Sequence, residues 1–279
     1  MSTGTLFVIA TPIGNMADWS QRAIDTIAEI DLLAAEDTRR TKILLSYHSL
    51  NVRVTSIHEH NEKDKSGYIV ELLMSGKNVG LVSDAGTPLI SDPGFNLVKL
   101  AQKNNIKISP LPGACAAIAA LSVAALPTDR FCFEGFLPSK EGERKNKLLA
   151  LASEPRTLIF YESPSRILKS INNMVEIFGA QRDVVFAREL TKTFETVKSG
   201  TLESIKTFIA SDKNQELGEI VIIVSGDRIE KKLISLSLQE QKLIKILVKK
   251  YTVKDAVDIV REISKAKKQD IYNYALTVN

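Results

Sequence analysis

Apolar, β-branched runs recur along the first half of the chain at residues 5–10, 31–36, 52–58, 78–83 and 106–111. Each is short and continuous, as expected of strands covered on both faces. Between them the apolar residues repeat at helical spacing. Trp19, Ala23, Ile27 and Ile30 form one face, Ile69, Leu72 and Leu73 another, and Phe95, Leu97, Val98 and Ala101 a third. Strands separated by helices predict a mostly parallel sheet with helices on both sides. An alanine-rich helix at 114–126 closes this first lobe, and its small side chains allow close backbone approach. A second set of strands is predicted at 131–136, 157–161, 183–188, 193–199 and 219–225, with helices near 142–153, 164–178 and 201–210. The runs at 183–188 and 193–199 are too close for a crossover helix. They predict an antiparallel pair and hence a mixed sheet. Three short helices, at 237–250, 253–263 and 267–276, follow.

The pattern therefore predicts an α/β protein of two lobes, 1–126 and 127–230, with residues 126–130 as linker and 231–279 as a helical appendage. A length of 279 residues accommodates that plan. The longest apolar stretch, 113–126, is too short for a bilayer span, which needs about 20 residues. The N-terminus enters the first strand without a charged start or a cleavage site, which predicts no export signal and a cytoplasmic protein. Cys115 and Cys132 lie among apolar neighbours and read as small core residues in a reducing compartment.

Charge changes the picture at one end. Residues 231–279 carry 11 Lys and Arg against 5 Asp and Glu, whereas 1–230 carry 26 against 28. A basic helical tail is either a solvated face or a footprint for phosphates, and charge alone does not choose.

The chain has no G-x-G-x-x-G after the first strand, no P-loop, no H-E-x-x-H and no G-x-S-x-G. Instead, loops rich in glycine, proline and charge follow the strands, at the sheet edge where open α/β folds bind ligands. They are Thr11-Pro12-Ile13-Gly14-Asn15, the string from Ala35 to Thr41 with Glu36, Asp37 and Arg39, the Ser83-Asp84-Ala85-Gly86-Thr87-Pro88 string with Ser91-Asp92-Pro93-Gly94 after it, and Pro110-Leu111-Pro112-Gly113-Ala114. Several have plainer uses: the first as a tight turn, Asp37 or Thr38 and Ser91 or Asp92 as helix caps. In the second lobe, Glu162, Arg166, Arg188, Glu189 and Lys192 also stand at strand ends, where surface ion pairs or helix starts would account for each. His58, Glu59, His60 and Glu62 invite a metal reading, but no Cys joins them and no metal site is expected.

Taken in order, these strings resemble the tetrapyrrole-methylase-like class of S-adenosylmethionine methyltransferases. The resemblance is carried by TPIGN at 11–15, AEDTR at 35–39, HEHNE at 58–62, SDAGTP at 83–88, PLPGACAA at 110–117, LPTDRFCFEGFLP at 126–138, RTLIFYESPSR at 156–166 and ARELTKTFE at 187–195. Within the class the match is to the bacterial branch that 2′-O-methylates a cytidine in the decoding centre of 16S rRNA. The small-molecule branch typically carries a G-P-G-D-like loop after strand one, where this chain has TPIGN. The resemblance implies two α/β lobes with S-adenosyl-L-methionine in the cleft between them, a homodimer, and the small ribosomal subunit as partner. It lays the cofactor against Pro12, Ser83, Asp84, Ala85, Gly86, Thr87, Ala114, Cys115, Ala116, Tyr161, Leu190, Gly218 and Glu219. It favours Asp37 with Arg39, and Glu36 beside them, at the catalytic edge, and likens the C-terminal helices to a helix-turn-helix. Two alternatives accompany this reading: a tetrapyrrole methyltransferase, and a non-catalytic nucleic-acid-binding protein built on the basic tail.

Overall fold

The computed structural model describes residues 3–58, 60–227, 236–264 and 266–278. Glu59 of the HEHNE string and the first residues of the basic stretch lie outside these. Residues 1–226 form one compact unit and 227–279 a second.

The first unit opens with β1 (Thr5–Ile9), α1 (Gln21–Glu29), β2 (Leu32–Ala35), α2 (Thr38–Tyr47), β3 (Val54–Ser56), α3 (Glu62–Met74), β4 (Val79–Val82), α4 (Phe95–Lys103) and β5 (Lys107–Leu111). The strands form an all-parallel sheet in the order β3-β2-β4-β1-β5. One face packs Leu6, Ala34, Val79 and Leu81 against Ile69 and Leu73 of α3 and Leu97 and Ala101 of α4. The other packs Ile9, Leu33, Ala35 and Val82 against α1 and α2, including Trp19, Ala23, Ile27 and Ile30. Each large aliphatic side chain so buried contributes about 1.5–3 kcal/mol. The predicted faces hold except at Phe95, which is 62% exposed at the first position of α4. Ser20 caps α1 by accepting from the Ala23 amide, and the Trp19 indole donates to the carbonyl of Ala10 just past β1.

After β5 the chain forms α5 (Ala116–Ser122), β6 (Phe131–Phe136), α6 (Glu141–Leu151), β7 (Thr157–Glu162), α7 (Ile167–Phe178), β8 (Asp183–Arg188), β9 (Thr196–Thr201), α8 (Leu202–Ser211) and β10 (Ile220–Val224). Their sheet runs β6-β7-β10-β8-β9; only the β6–β7 pair is parallel. Alternate residues face opposite layers, as the pleat requires. Leu158, Phe160, Phe186 and Ile222 point toward α6, α7 and α8, while Ile159, Val185, Val221 and Ile223 point toward α5. The two-sheet α/β architecture with one parallel and one mixed sheet is the expected one.

Local differences from the predicted elements have physical causes. Helix α5 is shorter than 114–126 because Cys115 is extended and Ala125 is left-handed. Strand β9 begins at Thr196 rather than 193 because Glu189 and Thr191 are left-handed and turn the chain first. Residues 126–130 are tied to the second sheet: Thr157 donates through its hydroxyl to the Pro127 carbonyl and through its amide to that of Arg130. Cys115 and Cys132 are only half-buried.

The second unit contains α9 (Leu238–Leu247), α10 (Val253–Arg261) and α11 (Lys268–Thr277). It has its own core of Leu236, Ile244, Val248, Ala256, Val257, Val260, Ile271 and Ala275. Ser237 and Glu240 form a capping box at the start of α9. Among the described residues no helix is long and apolar enough to cross a membrane.

Candidate functional site

In a parallel sheet all carboxyl ends lie on one edge. Here that edge carries the loops after β1, β2, β4 and β5, and they are cross-linked. Thr11 and Gly86 exchange two backbone hydrogen bonds of 2.9 and 3.1 Å. The Thr87 hydroxyl donates to the Ala114 carbonyl at 3.0 Å. The Asp37 amide donates to Asp84 Oδ1 at 2.9 Å, and the Asp84 amide to Glu36 Oε2 at 3.4 Å. Gly86 has φ +84°, and a Cβ there would stand 3.3 Å from Ile13 Cγ2 and 3.6 Å from the Ala114 carbonyl oxygen. The position therefore favours glycine for its conformation, and the bare backbone lines the cavity.

A cleft of about 380 Å³ opens between this edge and the second sheet. From the first sheet it is lined by Glu36, Asp84, Ala85, Gly86 and Thr87, and from the start of α5 by Cys115 and Ala116. The second sheet contributes Tyr161, Gly218 and Glu219. Pro12 and Ser83 line a smaller cavity of about 220 Å³ that shares Ile13, Arg40, Asp84, Ala85 and Glu219 with the cleft. Ala114 contributes the carbonyl that accepts from Thr87, and Leu190, which lines neither cavity, packs half-buried against the same core cluster as Tyr161.

The expected catalytic trio divides. Glu36 lines the cleft. Asp37 instead caps α2, accepting from the Arg39 amide at 2.8 Å and from the Arg39 guanidinium at 3.1 and 2.7 Å. Arg39 projects outward with its side chain 88% exposed. That guanidinium and the Arg39 amide hold the Asp37 carboxyl below the usual carboxylate range. It is Arg40 that lines both cavities, 3.5 Å from Asp84.

The other charged strand-end residues are largely occupied. The Glu162 carboxylate, fully shielded from solvent, accepts from the Ser163 amide, the Arg166 guanidinium and the Ser170 hydroxyl. Arg188 is buried and donates to Gln215, Phe194 and Thr196. Glu189 pairs with Lys192 at 2.8 Å and accepts from the Glu219 amide at 2.9 Å. Gly218, at φ +80°, leaves room for that carboxylate, which a Cβ would strike. Glu62 is likewise buried; it accepts from the amides of Gly94 and Asn96 at the start of α4. Neither Ser91 nor Asp92 therefore caps that helix. His58 is not gathered with other ligands: among the described residues no three His, Cys, Asp or Glu side chains form a metal-binding group.

Asp92 is the residue that sequence reasoning missed, having read it as a cap. It is half-buried and lines the cleft. Burial first, and then the carboxylates of Glu36 and Asp84, push its carboxyl up to about 7 against the pull of the Ser83 hydroxyl. Burial also raises Glu36, with the Asp84 amide opposing. Tyr161 is raised by burial and then by Cys115, and its hydroxyl accepts from the Ala117 amide at 3.2 Å. The visible signal for Asp92 was distance: it stands three positions before Phe95, where α4 begins, too far for an N-cap.

The fold is a two-sheet α/β architecture with its cleft at the carboxyl edge of the parallel sheet. The chain belongs to the tetrapyrrole (corrin/porphyrin) methylase family, whose model matches residues 5–206. It is 47% identical to the ribosomal RNA small subunit methyltransferase I of Pseudomonas aeruginosa, over 99% of this chain and 98% of that one. Against the protein of the same name from Haemophilus influenzae the identity is 46%, covering 98% and 97%. Among solved structures, diphthine synthase superposes with a TM-score of 0.62 at 16% identity, covering 80% of this chain and 90% of that one. The uroporphyrin-III-C-methyltransferase of Thermus thermophilus gives 0.57 at 14% identity, covering 80% and 94%. At such identities the likeness concerns the fold alone.

Proposed function

We propose that this protein transfers a methyl group from S-adenosylmethionine to the ribose 2′-hydroxyl of a cytidine in small-subunit ribosomal RNA. The observation that carries the reading is near-full-length identity of 46–47% to proteins named as small-subunit rRNA methyltransferases. The TPIGN loop at 11–15 supports it, standing where the small-molecule branch typically carries a G-P-G-D-like loop.

The cleft suits the cofactor. Its volume of about 380 Å³ lies within the range of small-molecule sites, roughly 300–1,000 Å³. The bare backbone at Gly86 would be covered by any Cβ. Glu36, Asp84 and Asp92 give the wall a negative character, complementary to a ligand bearing ammonium and sulfonium groups. When bound, S-adenosylmethionine supplies an electrophilic methyl group. The residues that would hold it are the Ser83 to Thr87 corner with Pro12, the Ala114-Cys115-Ala116 turn, and Tyr161, Leu190, Gly218 and Glu219 across the cleft. In-line displacement demands alignment, and the cross-linked loops provide a rigid frame for it. Glu36 inside the cleft, with Asp37 and Arg39 at the start of α2 just after it, would position the ribose and its flanking phosphates.

The basic helices of the second unit, in this reading, track rRNA phosphates, and the protein acts on the small subunit in the cytoplasm as a homodimer. Mapping 2′-O-methyl groups in 16S rRNA from cells with and without this protein tests the proposal. One cytidine in the decoding centre should lose its methyl group when the protein is absent. An unchanged map would refute the RNA reading.

A further inference from the structure

Helix α2 starts beside the cleft and leads away from it. It carries three cations, Arg39, Arg40 and Lys42, and no acid, in a body whose acidic residues slightly outnumber its basic ones. Thr41, Leu44 and Leu45 face the core. The other positions divide around the axis at roughly 100° per residue. Arg40, Ile43 and Tyr47 fall on one flank roughly 60° wide, and Lys42 falls nearly opposite Arg40. The flank with Arg40 is the one turned to the smaller cavity, which Arg40, Ile43 and Leu44 line.

Two observations set this stripe apart. The first is its exposed apolar and aromatic surface: Ile43 is 64% and Tyr47 63% exposed. Tyr47 is nonetheless braced. Its ring meets that of His48 edge-on at 4.9 Å, and His48 packs against Trp19 at 5.2 Å. His48 Nε2 lies 3.3 Å from the carbonyl of Met16, another residue of the smaller cavity. A ring already held in place loses little freedom when a planar group stacks on it. The second observation is the state of Arg40. Lys192, across the cavity, is balanced by Glu189 at 2.8 Å and Glu219 at 3.2 Å. Arg39 is engaged by both oxygens of Asp37. Arg40 has a contact of 3.5 Å to Asp84 and an exposed side chain, so its guanidinium keeps donors for an incoming anion.

Resting on the function proposed above, we infer that this stripe is the track for the single-stranded RNA that flanks the target ribose. Arg40, at the junction of the two cavities, donates to a phosphate beside the target nucleotide. Ile43 and Tyr47 carry a neighbouring base, Tyr47 by stacking. Single-stranded RNA is held by this combination, in which cations follow the backbone and aromatic faces take splayed bases. Seven positions of helix separate Arg40 from Tyr47, about 10 Å, which accommodates about three stacked nucleotides or fewer extended ones. A second copy of the chain is the poorer occupant, because a two-fold contact centred here would bring the cations of α2 toward their own counterparts.

The test uses the full-length protein and purified small ribosomal subunits lacking the modification. Tyr47→Ala should weaken subunit binding about 10-fold with its salt dependence intact, and Tyr47→Trp should restore it. Arg40→Ala should weaken binding and lower the logarithmic salt slope by about 0.7, the share of one single-strand phosphate. Arg40→Lys should keep that slope. Lys42→Ala, on the far flank, should change binding by less than about twofold. Calorimetric affinity of Tyr47→Ala for S-adenosylmethionine should stay within about twofold, since Tyr47 does not line the cleft. A benzophenone amino acid at position 47 should crosslink on irradiation to nucleotides within about three positions of the methylated cytidine. Wild-type subunit affinity in both Tyr47→Ala and Arg40→Ala, or crosslinks confined to other parts of the RNA, overturns the track. So does a shift of either variant to a smaller species in analytical ultracentrifugation, which would make the face a contact between copies. A wild type that transfers no methyl group to the subunits overturns the function on which the inference rests instead.

Discussion

The two sheets end in loops that look alike in sequence and behave differently in structure. Both place carboxylates and guanidinium groups at strand ends. At the mixed sheet these groups are consumed internally: Glu162 binds the start of the following helix, and Arg188 ties β8 to the loops around Phe194 and Gln215. At the parallel sheet, Glu36, Asp84 and Asp92 converge on a cleft with few partners between them, and two are held above their usual acidity range. Topology supplies the reason. Parallel strands gather every carboxyl-end loop on one edge, whereas antiparallel neighbours divide theirs between two. A charged residue at a strand end is therefore a site candidate only after its partners are counted.

The sharpest way to break this contrast is at Gly86. Valine there must adopt φ near +84°, and its Cβ would press on Ile13 at 3.3 Å. Affinity for S-adenosylmethionine should fall by about 100-fold or more, read by calorimetry on protein whose circular dichroism shows it folded. Unchanged affinity in a folded Gly86→Val variant would move the cofactor away from the parallel edge.

The smallest expected effect on the cleft comes from the second unit. Its described residues include an apolar core of their own. Removing 231–279 should leave cofactor affinity within about twofold and reduce the salt dependence of subunit binding, by about 0.7–0.9 in logarithmic slope per lost phosphate contact. A large fall in melting temperature with an intact salt slope would make these helices scaffold.

Much of this was legible beforehand. The strands announce themselves as β-branched runs, and the parallel-versus-mixed distinction followed from connection length alone. The loops that form the cleft were also visible, because Gly86 and its prolines interrupt otherwise apolar sequence. What stayed hidden was the pairing of charges across long separations. Glu62 looked like a metal-ligand candidate until it met Asn96 and Gly94 some thirty residues on. Asp37 and Arg39 looked like cleft residues, but a local cap geometry satisfies them with each other. Asp92 looked like a cap and became exceptional only through its burial beside Glu36 and Asp84.

The central claim, that the parallel edge performs chemistry while the mixed edge holds the fold, is tested most directly by one crossed comparison. Melting temperature and single-turnover methyl transfer to small ribosomal subunits would be measured together for Glu36→Gln and Glu162→Ala. Glu36→Gln keeps the acceptor for the Asp84 amide, so its melting temperature should stay within about 2 °C while transfer falls about 10-fold or more. Glu162→Ala strands Arg166 and Ser170, a loss of about 3 kcal/mol. That corresponds to roughly 6–12 °C of melting temperature for a unit of this size. Measured where it is fully folded, its transfer rate should fall far less than that of Glu36→Gln, although Glu162 also borders the cleft. The reverse pattern, with stability lost at Glu36 and chemistry lost at Glu162, would contradict the account.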